Sequence, residues 1–170
     1  KINRVILGKA GIDMEEIRKR GMPIGISDYK DLIDENAYYV DKTLLIKDII
    51  DDITKVPVFT RPRRFGKTLN LSMLYYYFSK SAKDNTYLFK DKKIFQQGER
   101  YISEQGKYPV IYITFKDVKE RTYEKALEQI KYILIFLFDK FNFILGSDRV
   151  SHMEKCVFSS ILYGKGTETD

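Results

Sequence analysis

The feature that most constrains the fold is a single stretch, 56–74, that joins an apolar run, a basic loop and an apolar helical pattern. The run Val56–Phe59 predicts a short buried strand. A helix is expected to start at Gly66, and it is apolar at nearly every position from Leu69 to Phe78, which predicts a helix buried between layers. A strand, a loop and a helix in this order can bind phosphate, because the first turn of a helix presents unpaired N–H groups and a partial positive charge.

The residues of the loop suit a nucleoside triphosphate. Gly66 lets the backbone approach a ligand with no Cβ in the way. Lys67 is expected to reach the β- and γ-phosphates, and the Thr68 hydroxyl is expected to hold Mg²⁺. Arg61 replaces the first glycine of the usual G-x-x-x-x-G-K-[ST] pattern. A solvated basic turn in front of a core helix is therefore the structural alternative.

The rest of the chain predicts an α/β fold. Tyr108–Phe115 is a second β-prone run, and the order strand, helix, strand favours a right-handed crossover and hence a parallel sheet. Apolar residues at helical spacing predict four more helices. These helices are Asp28–Glu35 with Ser27 as N-cap, Lys42–Asp52 with Asp41 as N-cap, Glu120–Phe143 with a deeply buried second half, and one helix within 147–163. The predicted domains are a basic helical lead-in at 1–24 with a short helix at 13–20, the main domain at 25–165, and a tail at 166–170.

Two motifs resemble those of the AAA-ATPase-like family of bacterial proteins. They are Arg61-Pro62-Arg63-Arg64-Phe65-Gly66-Lys67-Thr68-Leu69 and, upstream, Tyr38-Tyr39-Val40-Asp41-Lys42-Thr43. The resemblance runs from about Pro23 to the end of the chain, and an arginine at the first-glycine position is usual for that family. It implies an incomplete P-loop NTPase-like parallel sheet flanked by helices, ATP and Mg²⁺ as cofactors, and ATPase activity in a longer protein. Members often carry a C-terminal PD-(D/E)XK nuclease-like domain, which implies a partner domain beyond this chain and, through that domain, contact with nucleic acid.

The candidate residues of the phosphate site share one turn and the start of the next helix. They are Arg63, Arg64, Phe65, Gly66, Lys67, Thr68 and Leu69, with Lys67 as the candidate catalytic residue and Thr68 as the candidate magnesium ligand. Pro62 has no N–H group and favours an extended conformation at the residue before it. We therefore expect the guanidinium groups of Arg63 and Arg64 to replace the lost backbone donor, although at least one of them is expected to pair with a carboxylate instead.

The upstream motif is the candidate adenine site. Many AAA-related ATPases, which the chain resembles, line the adenine slot with a short extended segment at the position of Tyr38–Thr43. Tyr39 or Val40 would supply the flat apolar surface, and Val40 is the better contact because its small side chain suits a base edge. The alternative is that both tyrosines of the segment pack in the core.

An acidic partner for Mg²⁺ is harder to identify. A hydrolytic P-loop ATPase needs an acidic residue at the end of a second hydrophobic strand. Asp117 follows the Tyr108–Phe115 run, but a loop carboxylate that caps the helix near Glu120 is the favoured interpretation. In the resembled family the acidic strand lies further along, so this chain is expected to be the N-terminal part of an ATPase that lacks the full hydrolytic apparatus.

Composition narrows the functional class. The chain has 170 residues and a net charge of +6, and several of its cations fall in the one basic loop. This clustering favours the binding of an anionic ligand. The alternative function is that of a nucleic-acid-associated or non-catalytic interaction module that uses the basic loop. The single cysteine, Cys156, excludes an internal disulfide. The longest apolar run, 132–138, is far shorter than the ~20 residues of a membrane span, so a cytoplasmic protein without membrane contact is expected.

Overall fold

The computed structural model describes residues 20–60, 62, 64–80 and 83–166. Residues 13–19 of the expected lead-in helix and 167–170 of the expected tail lie outside this range. The chain separates into two compact units, Lys1–Val110 and Ile111–Asp170. The α-helices are α1 (Tyr29–Asp34), α2 (Leu44–Asp51), α3 (Lys67–Phe78), α4 (Glu99–Ile102), α5 (Tyr123–Lys140) and α6 (His152–Leu162), and short 3₁₀ helices cover Thr86–Leu88, Lys93–Gln97 and Asn142–Gly146.

The expected α/β fold with a P-loop NTPase-like parallel sheet is wrong. The part of the chain that the structure describes contains helices and no β-strand, and its sheet-type pairing is limited to one isolated parallel bridge between Ser79 and Tyr108. The two expected strands expose their apolar side chains, with Val58 77% and Ile111 65% exposed. A β-prone run becomes a strand only when a neighbouring strand takes up its N–H and C=O groups. Within the described residues neither run has a neighbouring strand, and the pairing of the second run is limited to Tyr108, which donates to the Phe78 carbonyl at 3.0 Å and accepts from the Lys80 N–H at 2.7 Å.

The core of the first unit is aromatic. The ring of Tyr29 stacks on Phe89 with centroids 5.3 Å apart, and the ring of Tyr77 meets Phe89 edge-on at 5.0 Å. Both hydroxyls are satisfied, because Tyr29 donates to the Leu88 carbonyl (3.1 Å) and Tyr77 to the Tyr101 carbonyl (2.8 Å). Tyr29 belongs to α1 and Tyr77 to α3, so this cluster holds the two helices together and fixes the direction of α3. The buried cluster consists of Tyr29, Ile46, Met73, Tyr77, Leu88, Phe89, Ile94 and Tyr101.

Two helices are less buried than their sequences predict. Only one face of α3 is buried, and Leu71 on that helix is 47% exposed. None of the residues of α5 is buried, and its Phe136 is 69% exposed. An apolar pattern all round a helix leads to full burial only where other elements pack on every side. The described residues supply packing on one side only, so the expected deep burial of both helices is wrong.

The helices themselves are confirmed, with ends that lie at capping residues. Asp28, rather than the expected Ser27, caps α1, because its carboxylate accepts from two N–H groups of the first turn at 2.8 and 3.3 Å. Thr122 caps α5 and moves the start of that helix past Glu120. In the second unit α6 begins after a capping box formed by Ser151 and its N3 glutamate.

The second unit is a pair of packed helices. The rings of Phe138 on α5 and Phe158 on α6 lie 4.8 Å apart. Among the described residues, no helix in either unit combines the length and the hydropathy that crossing a membrane requires.

Candidate functional site

A turn with two left-handed residues leads into α3. Arg64 has a φ of 68° and Gly66 a φ of 73°. The left-handed conformation costs a residue with a Cβ roughly 1–2 kcal/mol, whereas glycine adopts it freely. Gly66 is the N-cap residue and is followed directly by the right-handed helix of Lys67. Because glycine has no side-chain oxygen, Gly66 forms no side-chain cap bond to the first turn of α3, and the N–H groups of a helix start are groups that attract anions.

The expected site residues on α3 differ in exposure. Lys67, the first residue of the helix, has an exposed side chain, and Phe65 before the glycine is 56% exposed. Thr68 is half-buried, and Leu69 packs against the core of the first unit. The roles of Lys67 and Thr68 in ligand binding therefore stay predictions, while the side chain of Leu69 serves packing.

Of the two arginines expected to bind phosphate, Arg64 is among the described residues and Arg63 is not. Arg64 is exposed and has a left-handed backbone conformation, and it lies two positions before Gly66, the N-cap residue of α3. Arg64 forms no ion pair with the carboxylates of the described residues. Arg63 lies outside the described residues. The expectation that one of these two arginines pairs with a carboxylate therefore stays a prediction.

The upstream segment is locked in place by Asp41 and Thr43. One oxygen of the Asp41 carboxylate accepts from the N–H and the hydroxyl of Thr43, at 2.8 and 2.7 Å. The other accepts from the N–H of Lys93 at 2.8 Å, and the Thr43 hydroxyl oxygen accepts from the N–H of Ile94 at 3.2 Å. Asp41 was expected to cap the helix that follows it, but α2 begins without a side-chain cap. Instead, the pair secures the first N–H groups of the 3₁₀ helix Lys93–Gln97.

The two expected base contacts lie in different surroundings. The ring of Tyr39 meets the ring of Tyr29 edge-on at 5.4 Å, and its hydroxyl accepts from the N–H of Lys42 at 3.1 Å. Burial raises the pKa of Tyr39 to about 12. Val40 is 52% exposed. The surroundings of Tyr39 are those of a packing residue, whereas Val40 is accessible to a ligand.

Lys42 connects the two motifs. Its Nζ lies 3.9 Å from the position that a Cβ on Gly66 would occupy. The ammonium of the upstream segment therefore lies beside the turn that starts α3. Sequence reasoning did not select Lys42 as a site residue, although its place inside the Asp41-Lys42-Thr43 triplet was the signal that could have found it.

A cavity of about 320 Å³ borders the same helix. Lys67 and Asn70 lie on its wall, and the buried Oδ1 of Asn70 accepts no hydrogen bond from the described residues. A buried acceptor without a donor is costly unless a water or a ligand supplies one. Asn70 interrupts an apolar helix in the sequence, which was the signal for it. The remaining lining is apolar and consists of Leu45, Pro57, Val58, Phe59, Leu71 and Leu74.

The family model of the AAA-ATPase-like proteins, described as Predicted AAA-ATPase, matches residues 23–163. The chain belongs to the AAA-ATPase-like family. The match covers both motifs and most of the chain, and it confirms the resemblance. No curated protein and no solved structure matches the chain.

Membership in the AAA-ATPase-like family gives the chain a coarse function, that of an ATPase-like protein, and suggests a nucleotide and Mg²⁺ as ligands. The groups that suit the phosphate part of such a ligand are the glycine-capped start of α3, its first residue Lys67, and the Lys42 ammonium beside Gly66. An apolar cavity adjoins that turn. The described residues supply less for Mg²⁺, since Thr68 is the one hydroxyl at the turn.

Acidic ligands for Mg²⁺ are not grouped in the described part of this AAA-ATPase-like chain, where no three His, Cys, Asp or Glu side chains cluster. Asp117 belongs to the second unit and lies in a turn closed by the Val118 N–H and the Phe115 carbonyl at 3.1 Å. Asp117 was expected to cap the following helix, but the N-cap residue of α5 is Thr122.

Proposed function

We propose that this chain binds ATP at the N-terminus of α3, through the variant loop Arg61–Thr68, as the nucleotide-binding part of an ATPase. The observation that carries the proposal is the left-handed Gly66 directly before Lys67 and Thr68, at the start of a 12-residue helix. Such a helix start attracts anions through its N–H groups and its dipole. The family match supports a nucleotide as the anion.

Each residue of the turn has a role in this proposal. Lys67 and the first-turn N–H groups of α3 hold oxygens of the β- and γ-phosphates, and Lys67 stabilises the charge that develops on the transferred phosphoryl group. The Thr68 hydroxyl would hold Mg²⁺, which would supply positive charge to the phosphates. Arg63 and Arg64 supply further bidentate donors to phosphate.

Val40 is proposed to contact the base. Its 52% exposure supports this role, while the aromatic packing of Tyr39 supports a place in the core. Truncation to Val40→Ala should weaken the binding of ATP and ADP by the same factor and leave inorganic triphosphate unaffected. Calorimetric titration of the three ligands measures this, and equal losses for all three would make the segment core only.

The main test is a calorimetric titration of ATP, with and without Mg²⁺, into the wild type and Lys67→Ala. We expect Lys67→Ala to abolish ATP affinity and to leave the melting temperature of the ligand-free protein close to that of the wild type. Lys55→Ala, which removes an exposed lysine from the same unit, is the matched control. A large loss of stability in Lys67→Ala would instead make Lys67 a structural ion-pair partner.

The same proteins test the alternative ligand. A nucleic-acid interface loses affinity steeply as salt rises, because bound cations are released from the phosphate backbone. Binding of single- or double-stranded DNA that is steeply salt-dependent and insensitive to Lys67→Ala, with no ATP binding, would refute the proposed function in favour of a backbone-binding loop.

A further inference from the structure

We infer that Lys42 is a second phosphate-binding lysine of this site and that it recognises the triphosphate together with Lys67; the inference rests on the proposed nucleotide-binding function. Lys42 belongs to the Tyr38–Thr43 segment rather than to the loop before α3. Its ammonium nitrogen lies 3.9 Å from the position of a Cβ on Gly66, which is an ordinary van der Waals distance. The two motifs thus place one lysine each at the same turn.

The backbone on which Lys42 is carried is fixed on both sides. Asp41 and Thr43 are bonded to each other and to the N–H groups of the 3₁₀ helix Lys93–Gln97. The N–H of Lys42 itself donates to the hydroxyl of Tyr39 at 3.1 Å. Thr43 is fully buried, whereas the Lys42 side chain is exposed. A lysine that starts from a fixed backbone position loses less freedom when it binds a ligand than one on a loose loop.

The charges around Lys42 favour the binding of an anion beside it. A cation at the positive end of a helix dipole is unfavourably placed unless an anion lies near it. The neighbouring acid, Asp41, has both carboxylate oxygens engaged by Thr43 and by the N–H of Lys93. Within the described residues Lys42 forms no ion pair.

The class of ligand follows from the number of positive groups. Lys42, Lys67 and the N-terminus of α3 meet at one turn, and Arg64 adds another cation two positions earlier. A turn that carries several cations favours an anion of high charge. We therefore expect Lys42 to contribute more to the binding of a triphosphate than to the binding of a single phosphate group.

The test is a calorimetric titration of inorganic triphosphate, inorganic phosphate and ATP into the wild type, Lys42→Gln, Lys42→Arg and the charge control Lys55→Gln. Loss of a charge-assisted hydrogen bond should make Lys42→Gln bind inorganic triphosphate about tenfold more weakly or worse. Lys42→Arg should recover most of that loss, and Lys55→Gln should stay within about twofold of the wild type, because an exposed charge away from the ligand contributes little. Circular dichroism and the melting temperature of each ligand-free variant show that it is folded.

Four outcomes separate this inference from the proposed function. Weaker triphosphate binding by Lys42→Gln, together with ATP binding by the wild type, supports both. Equal triphosphate affinities of the wild type and Lys42→Gln, with ATP binding retained, overturn the role of Lys42 and leave the proposed function standing. Lys42-dependent binding of inorganic triphosphate without any ATP binding supports the role of Lys42 and refutes the proposed function. A wild type that binds neither ligand refutes both.

Discussion

Replacing Thr43 with valine is the sharpest available test of how the upstream motif is held. The hydroxyl of Thr43 is fully buried, donates to Asp41 at 2.7 Å and accepts from the N–H of Ile94 at 3.2 Å. Thr43→Val keeps the shape of the side chain and removes both bonds. The buried N–H of Ile94 is then left without an acceptor, which costs about 1–3 kcal/mol, and the bond to the Asp41 carboxylate is lost as well. Since the new methyl group gains some burial, we expect a net loss of roughly 2 kcal/mol in the free energy of unfolding.

Urea unfolding of the wild type and Thr43→Val measures this loss. The chain has 13 tyrosines and no tryptophan, and the core tyrosines Tyr29 and Tyr77 make tyrosine fluorescence a probe of the first unit. Thr60→Val, at an exposed threonine, is the matched control and should change stability by less than about 0.5 kcal/mol. A Thr43→Val variant as stable as Thr60→Val would refute the argument that these hydrogen bonds hold the segment.

Three further predictions concern catalysis, the arginines and acid stability. ATP turnover by this chain should be very slow, because phosphoryl transfer needs positioned charge around Mg²⁺ and the described residues lack a cluster of acidic ligands; steady turnover in a phosphate-release assay that Asp117→Asn abolishes would contradict this. At least one of Arg63→Ala and Arg64→Ala should weaken ATP affinity about tenfold in calorimetry, and wild-type affinity in both would refute the compensation for the missing backbone donor. The hydrogen bond from Lys47 holds the pKa of Asp51 below its usual range, so Asp51 stabilises the fold above its unfolded pKa of about 4, and this stability is lost as the pH falls through the lower folded pKa. Acid unfolding followed by circular dichroism should therefore show a weaker pH dependence below about pH 4 in Asp51→Asn, and identical acid transitions would contradict the assignment.

The helices could be predicted from the sequence because their signals are local. Apolar spacing along 28–35, 42–52 and 120–143 placed α1, α2 and α5 to within a few residues. The helix ends moved to residues whose side chains reach the first-turn N–H groups, as Asp28 does for α1 and Thr122 for α5. Choosing between Ser27 and Asp28 as the cap needs the backbone conformation of each residue, which the sequence does not contain.

The strands and the burial of α3 and α5 could not be predicted in the same way because they depend on neighbours. Val56–Phe59 has the composition of a buried strand, yet Val58 is 77% exposed because nothing among the described residues covers it. In the second run Ile111 and Phe115 are likewise 65% and 57% exposed. Strand composition shows that a segment suits a sheet, and pairing decides whether a sheet is formed.

The upstream motif shows how the roles of adjacent residues separate once distant contacts are known. Asp41 and Thr43 bond to Lys93 and Ile94, which lie about fifty positions further along the chain, so their structural role could not be deduced from the motif itself. Lys42 stands between them with an exposed side chain that reaches Gly66. Stability and affinity should therefore respond differently along this triplet. Variants of Asp41 or Thr43 should lose stability and, because they release the backbone that carries Lys42, also triphosphate affinity, whereas Lys42→Gln should lose affinity alone. A shared loss of stability in all three would mean that the triplet acts only as a structural lock.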